Sequence, residues 1–173
     1  MNVCTNLCAS LFIMSTFFGS HHLNELKQVE KETVKRLEST YKMDACGSGG
    51  GAMYGINTVM LAFTIERPIT IEEARAILVG SMEIYLENIN KNKIIRPYLE
   101  EYPFSPSRVE LEFYVHSQKK NEDQKHLNLF AISCGGNIKV PTIKYKFEKN
   151  GEATEVFRET FDEAKERLNG ISK

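Results

Sequence analysis

Residues 59–78 read Val-Met-Leu-Ala-Phe-Thr-Ile-Glu-Arg-Pro-Ile-Thr-Ile-Glu-Glu-Ala-Arg-Ala-Ile-Leu, and the change of period inside this stretch decides the fold class. Val59, Leu61, Phe63 and Ile65 alternate with Met60, Ala62 and Thr64, the period of a strand, and neither face is strongly polar, which suits a central position. Pro68 ends that run. Thr70 followed by Glu73 is a capping-box signature, and the stripe Ile71, Ala74, Leu78, Met82, Tyr85, Ile89 continues at helical spacing to about Asn90. A strand handing over to a helix within one turn requires a mixed α and β architecture.

Working outward, Leu26, Val29, Val34, Leu37 and Tyr41 form a helical stripe across residues 23–41, among charges of both signs that read as a solvated outer face. Cys46-Gly47-Ser48-Gly49-Gly50-Gly51 reads as loop. After the central helix, Asn88, Asn90 and Asn92 favour a chain reversal, and Arg96-Pro97 opens a short helical turn closed by Pro103 and Pro106. Val109, Leu111, Phe113 and Val115 alternate with Glu110, Glu112 and His116, a strand with one wet face. Ser117–His126 is a polar reversal. Residues 127–134 form the next strand, Gly135-Gly136-Asn137 a tight turn, and residues 138–148 the returning strand, with Pro141 suggesting an edge or a bulge. Asn150-Gly151 marks a hairpin, residues 152–159 a further short strand, and Thr160 with Glu163 a second capping box before a helix holding Phe161, Ala164 and Leu168. The expectation is a single α+β domain over residues 21–173, with a mostly antiparallel sheet of four or five strands and helices on one face, in the order α-β-α-β-β-β-(β)-α.

Residues 1–20 read differently. No charged side chain precedes Glu25, and Leu11, Phe12, Ile13, Met14, Phe17 and Phe18 make an apolar run followed by Gly19-Ser20. This is the pattern of a signal peptide or membrane anchor, although it lacks basic residues at its start and is shorter than the ~20 residues of a spanning helix. Cys4 and Cys8 raise a lipid anchor; a buried N-terminal element is the alternative. The expected location is therefore exported (periplasm, envelope or secreted), and cytoplasmic if the leader is not a signal.

Charge limits the partners. With 22 basic and 23 acidic residues and a formal net charge of -1, the chain shows neither the basic excess that nucleic acid requires nor a polybasic lipid anchor. The glycines Gly47, Gly49, Gly50 and Gly51 invite a phosphate-loop reading. A phosphate loop, however, runs from strand through glycines into a helix N-terminus, whereas this order is reversed. What remains is a flexible connector or an anion-binding nest at Gly49 and Gly50. No Cys-x-x-Cys and no His-Glu-x-x-His occurs, so no metal and no cofactor is expected. His21-His22 with Glu25, and Glu100, Glu101, Glu110 and Glu112, read as solvated groups. Cys46 and Cys134 remain open as a disulfide, as two free thiols, or as a nucleophile assisted by His116 or His126.

The segment Ile89–Phe104 is the most distinctive. Arg96, Tyr98, Tyr102 and Phe104 combine a guanidinium with flat amphipathic rings, the residue types that dominate interface hot spots. The alternative is that this turn caps the sheet, with Arg96 held by a nearby carboxylate or carbonyl. Arg96-Pro97-Tyr98-Leu99…Tyr102-Pro103-Phe104, after the glycine run, the strand and a helix with Ala74-Arg75, resembles a family of small exported bacterial proteins. The resemblance covers about Gly47 to Ala164 and implies a compartment but no activity. Two functions stay open: a non-enzymatic domain binding a protein or small ligand through Arg96, Tyr98, Tyr102 and Phe104, and a thiol-dependent enzyme using Cys46 or Cys134.

Overall fold

The computed structural model describes residues 4–52, 55–116, 129–135, 139–149 and 152–171. The described chain forms α1 (Cys4–Tyr41), β1 (Asp44–Gly51), β2 (Thr58–Ile65), α2 (Ile71–Lys91), β3 (Val109–Val115), β4 (Leu129–Cys134), β5 (Thr142–Lys149), β6 (Glu152–Thr160) and α3 (Phe161–Ile171), with 3-10 turns at Arg96–Tyr98 and Pro106–Arg108. One sheet joins all six strands in sequence order. The pairings β1–β2, β3–β4, β4–β5 and β5–β6 are antiparallel; β2–β3 is parallel, with Val59 opposite Val109 and Ile65 opposite Val115. A parallel pair needs a long crossover, and α2 supplies it.

The strand patterns assign the faces. Val59, Leu61, Phe63, Ile65, Val109, Leu111, Phe113 and Val115 are buried, while Met60, Thr64, Glu110, Glu112 and Tyr114 are half-buried on the opposite face. Phe63 and Phe113, paired in the register, stack with ring centroids 5.8 Å apart. α2 packs on β3 and β4, α1 and α3 flank α2, and α3 also meets β6. The result is one α+β domain with helices on one side and a wet sheet face on the other.

Both expected helix starts are capped. Glu73 N–H donates to Thr70 Oγ1 at 3.1 Å, and Thr160 and Glu163 exchange hydrogen bonds of 2.7 and 3.2 Å. Three expectations are corrected. Cys46–Gly51, read as loop, is the edge strand β1, because β2 supplies the partner that a glycine run cannot specify by itself. The sheet therefore has six strands, against the four or five expected. Pro141 lies just before β5, which is an interior strand; its missing N–H costs no ladder bond, and its carbonyl accepts Phe161 N–H at 2.9 Å.

Of the leader, the backbone from Cys4 onward is helical and continuous with the rest of α1; the side chains of residues 1–20, including Cys4 and Cys8, lie outside the described residues, as do His126, the Ser117–His126 reversal, Gly136-Asn137 and the Asn150-Gly151 turn. Among the described residues no helix is long and apolar enough to cross a membrane. Among the described side chains of α1, His22 and Glu25 contact the rest of the chain, and Leu26, Val29, Thr33 and Leu37 are buried.

Candidate functional site

The segment that follows α2 is built by three asparagines. Asn88 is buried and donates to Thr33 Oγ1 at 2.9 Å, and that hydroxyl donates to Val29 O at 2.7 Å, tying α2 to α1. Asn90 acts as a surrogate strand: Phe104 N–H donates to its Oδ1 at 2.7 Å, and its Nδ2 donates to Phe104 O at 3.0 Å. Asn92 closes the helix, its N–H donating to Ile89 O at 3.2 Å, while its Oδ1 accepts from Ile94 N and Ile95 N at 2.9 and 3.2 Å. Its Nδ2 donates to Glu25 Oε1 at 2.9 Å. Short polar side chains bonding nearby backbone explain why the chain turns here.

This frame presents Arg96 and Tyr102. Arg96 Nη2 donates to Asn90 O at 3.0 Å, and the guanidinium lies 4.5 Å from the Tyr102 ring centroid. Tyr102 is 54% exposed. Arg96 Nε is buried without a hydrogen-bond partner among the described residues. Beside them Tyr98 stacks on His22, with centroids 4.1 Å apart and planes within 10°, and Ile94 stands exposed. The peptide bond between Tyr102 and Pro103 is cis. Phe104 is not part of this surface: it is 2% exposed and belongs to the core.

The backbone of the segment is pinned to the chain entering β2. Ile56 N–H donates to Tyr98 O at 2.7 Å and Glu100 N–H donates to Ile56 O at 3.0 Å. The next residue, Asn57, donates to Gly51 O at 2.9 Å. Successive residues of an extended chain bond to opposite sides, so the Arg96–Tyr102 segment and β1 flank this chain from opposite sides. Gly49 and Gly50 are therefore strand residues apart from the aromatic group and make no anion cradle with it. Gly50 has φ +151°, and a Cβ there would lie 2.3 Å from Thr58 O. Glycine is required at that position for backbone geometry.

The thiols are separated. Cys46 is exposed on β1 and Cys134 is buried on β4; both are free. With β2 and β3 between them, they stand three strand spacings apart, roughly 14 Å, against the roughly 4.4–6.8 Å between Cα atoms that a disulfide needs. The expected disulfide is thereby corrected. Burial pushes the Cys134 thiol up to about 12, opposite to the lowering that makes a nucleophile. Cys134 pairs with Leu111, five residues from His116, roughly 17 Å along the strand. Among the described residues no group of three His, Cys, Asp or Glu residues is placed to hold a metal.

Two polar clusters remain: one holds Glu101, expected to be simply solvated, and the other was not singled out by sequence. Glu101 accepts from the Ser105 hydroxyl and pairs with Arg108 at 3.4 Å; these hold its carboxyl below the usual range. Glu159, at the end of β6, is buried with a side-chain exposure of 1%, accepting from Arg75 Nε at 2.7 Å and Tyr145 Oη at 2.6 Å. On β6 Val156 is the extra residue between Phe157, opposite Tyr145, and Glu155, opposite Lys146; beyond it Phe157 and Glu159 share the inward face, so Glu159 is a charged residue at an apolar position of the alternation. No family model matches this chain, and no curated protein or solved structure matches it.

Proposed function

We propose that this chain is an exported or envelope-associated bacterial binding domain, not an enzyme, that holds a protein or small ligand against Arg96, Tyr98 and Tyr102. The observation that carries the reading is Tyr102, half exposed on a rigid frame with the Arg96 guanidinium over its ring. Arginine and tyrosine so presented offer a planar donor set and a large contact area at low entropic cost. The uncharged apolar leader, and the resemblance of residues 89–104 to small exported bacterial proteins, support the location.

The test is photo-crosslinking in the native host with a photoreactive residue at position 102, and again at exposed Glu166 on α3 as a control. A defined adduct at 102, absent at 166 and lost with Arg96→Ala, is expected. Equal labelling at both positions, or none at 102, overturns the binding reading. Fractionation with mass spectrometry of the N-terminus tests the location: a chain beginning near Gly19–His22, or an acylated leader, is expected, and an intact cytosolic chain overturns it.

A further inference from the structure

The sheet face turned away from the helices carries its charges in two stripes. On β3, Glu110 and Glu112 stand half-buried on that face, alternating with the core residues Leu111 and Phe113. On β5, Lys144 and Lys146 stand half-buried there, alternating with the core residues Ile143 and Tyr145. The register sets Ala62, Glu112, Ser133, Lys144 and Arg158 in one row across five strands. β4 separates the stripes and adds no charge to either, with Ser133 opposite Lys144 and Ala131 opposite Lys146. Glu112 and Lys144 are therefore two strand spacings apart, roughly 10 Å. Among the described residues no ion pair joins the two stripes. On β6, Arg158 is neutralised by its two-point pair with Glu155 at 2.8 Å, so the basic stripe rests on the two lysines.

This layout decides what fits the face. A partner of one sign, such as nucleic acid or an anionic lipid surface, meets repulsion over half of it. A second copy of the chain does not, provided it is turned one way. Two like sheets stacked face to face are related by a two-fold axis lying between them. An axis running across the strands would set β3 on β3 and β5 on β5, like charge on like. An axis running along β4 sets β3 of each copy over β5 of the other and keeps every row over itself. Glu112 then faces Lys144 of the second copy, twice by symmetry. Two residues further along both strands, Lys146 faces the Tyr114 ring of the second copy, whose hydroxyl donates to Glu112 Oε2 of its own chain at 2.6 Å.

We propose that this face is the interface of a reversible homodimer, the two sheets stacked about an axis along β4 so that the Glu110–Glu112 stripe of each copy meets the Lys144–Lys146 stripe of the other. Such sheets pack with their strands within about 30° of each other. At ordinary strand spacing the six strands are about 29 Å wide, and their three outward rows span about 20 Å. Two such faces bury about 1,200 Å², the lower bound of a specific interface, which suits a dimer that exchanges with its monomer. Met60, Tyr114 and the stems of the lysines supply its apolar area. None of Arg96, Tyr98 and Tyr102 takes part, so the interface stands independently of that surface.

Sedimentation velocity of the full chain, from about 1 μM to about 1 mM, tests this. A monomer–dimer equilibrium is expected, and a monomer throughout overturns the proposal. The dimer should weaken at least about tenfold when salt rises from about 0.1 to 1 M, because the screening length falls from about 10 to 3 Å. Glu110→Lys with Glu112→Lys makes the face wholly basic, and Lys144→Glu with Lys146→Glu makes it wholly acidic. Each doubly substituted chain alone should dimerise at least about tenfold more weakly than wild type. Mixed one to one, the two should form a heterodimer at least as tight as the wild-type dimer. A chain carrying all four changes exchanges the stripes and should dimerise as wild type does. A mixture that stays apart overturns the proposal. A dimer that salt and both reversals leave unchanged is held by another surface, and overturns it too.

Discussion

Replacing Glu159 by glutamine should cost about 3 kcal/mol of stability, at the low end of what removing one partner of a buried ion pair costs. The side chains of Glu159 and Arg75 are 1% and 6% exposed, and Nε lies 2.7 Å from Oε1. Tyr145 donates to the same Oε1 at 2.6 Å, and Arg167 Nε stands 3.4 Å from Oε2. This carboxylate therefore ties α2, α3, β5 and β6 together. Glutamine keeps the volume and one acceptor but leaves the Arg75 charge buried without a counter-charge, which accounts for most of the loss. At about 2–4 °C per kcal/mol for a chain of this size, the melting temperature should fall by about 6–12 °C. Urea unfolding followed by far-UV circular dichroism reads the free energy. The pair Arg75→Met with Glu159→Leu should lose less than the two single changes summed, with a coupling of about 1–3 kcal/mol. A Glu159→Gln variant within about 0.5 kcal/mol of wild type would refute the claim that this carboxylate joins the helices to the sheet.

Further outcomes follow from the same geometry. Asn90→Ala removes both hydrogen bonds to the Phe104 backbone and should cost about 1–3 kcal/mol, with exchange protection of the Phe104 amide lost in proportion. Gly50→Ala should destabilise by about 1–3 kcal/mol through its positive φ and the Thr58 carbonyl, whereas Gly47→Ala should be neutral or stabilising. Site-resolved mass spectrometry should find Cys46 alkylated in the folded protein at neutral pH and Cys134 only on unfolding. Burial pushes Cys134 from 9.0 up to about 12, and the same cause raises Tyr85 and Tyr145. Each keeps its proton in the folded state after the unfolded chain has released it, so this stability is complete below about pH 9 and is lost as pH rises towards 12. Cys134→Ala should flatten the alkaline loss by up to about 1.4 kcal/mol per pH unit in that window.

Most elements were legible because their signals are local. The alternations at residues 59–65 and 109–115, and the caps at Thr70 and Thr160, declare strand and helix without reference to the rest of the chain. β1 was not legible, since Cys46–Gly51 has no side-chain pattern and becomes a strand only through β2. The parallel β2–β3 pairing is a property of the α2 crossover. Of the candidate surface, Arg96 and Tyr102 lie together, Tyr98 stacks on His22 of α1, and Phe104 turns inward, its backbone gripped by Asn90. Glu159 went unmarked because it shares the inward face with Phe157 but carries a charge, and its partners Arg75 and Tyr145 come from α2 and β5, far away in sequence.

The central claim is that Asn88, Asn90 and Asn92 build a frame on which Tyr102 is displayed for a partner, so that the ring itself contributes little to the fold. The direct measurement is the unfolding free energy of Tyr102→Ala in urea. A value within about 0.5 kcal/mol of wild type, as for exposed positions in general, is predicted. A loss of about 2 kcal/mol or more, the scale of a truncated core side chain, would show that Tyr102 and Arg96 hold the fold, and would contradict the account.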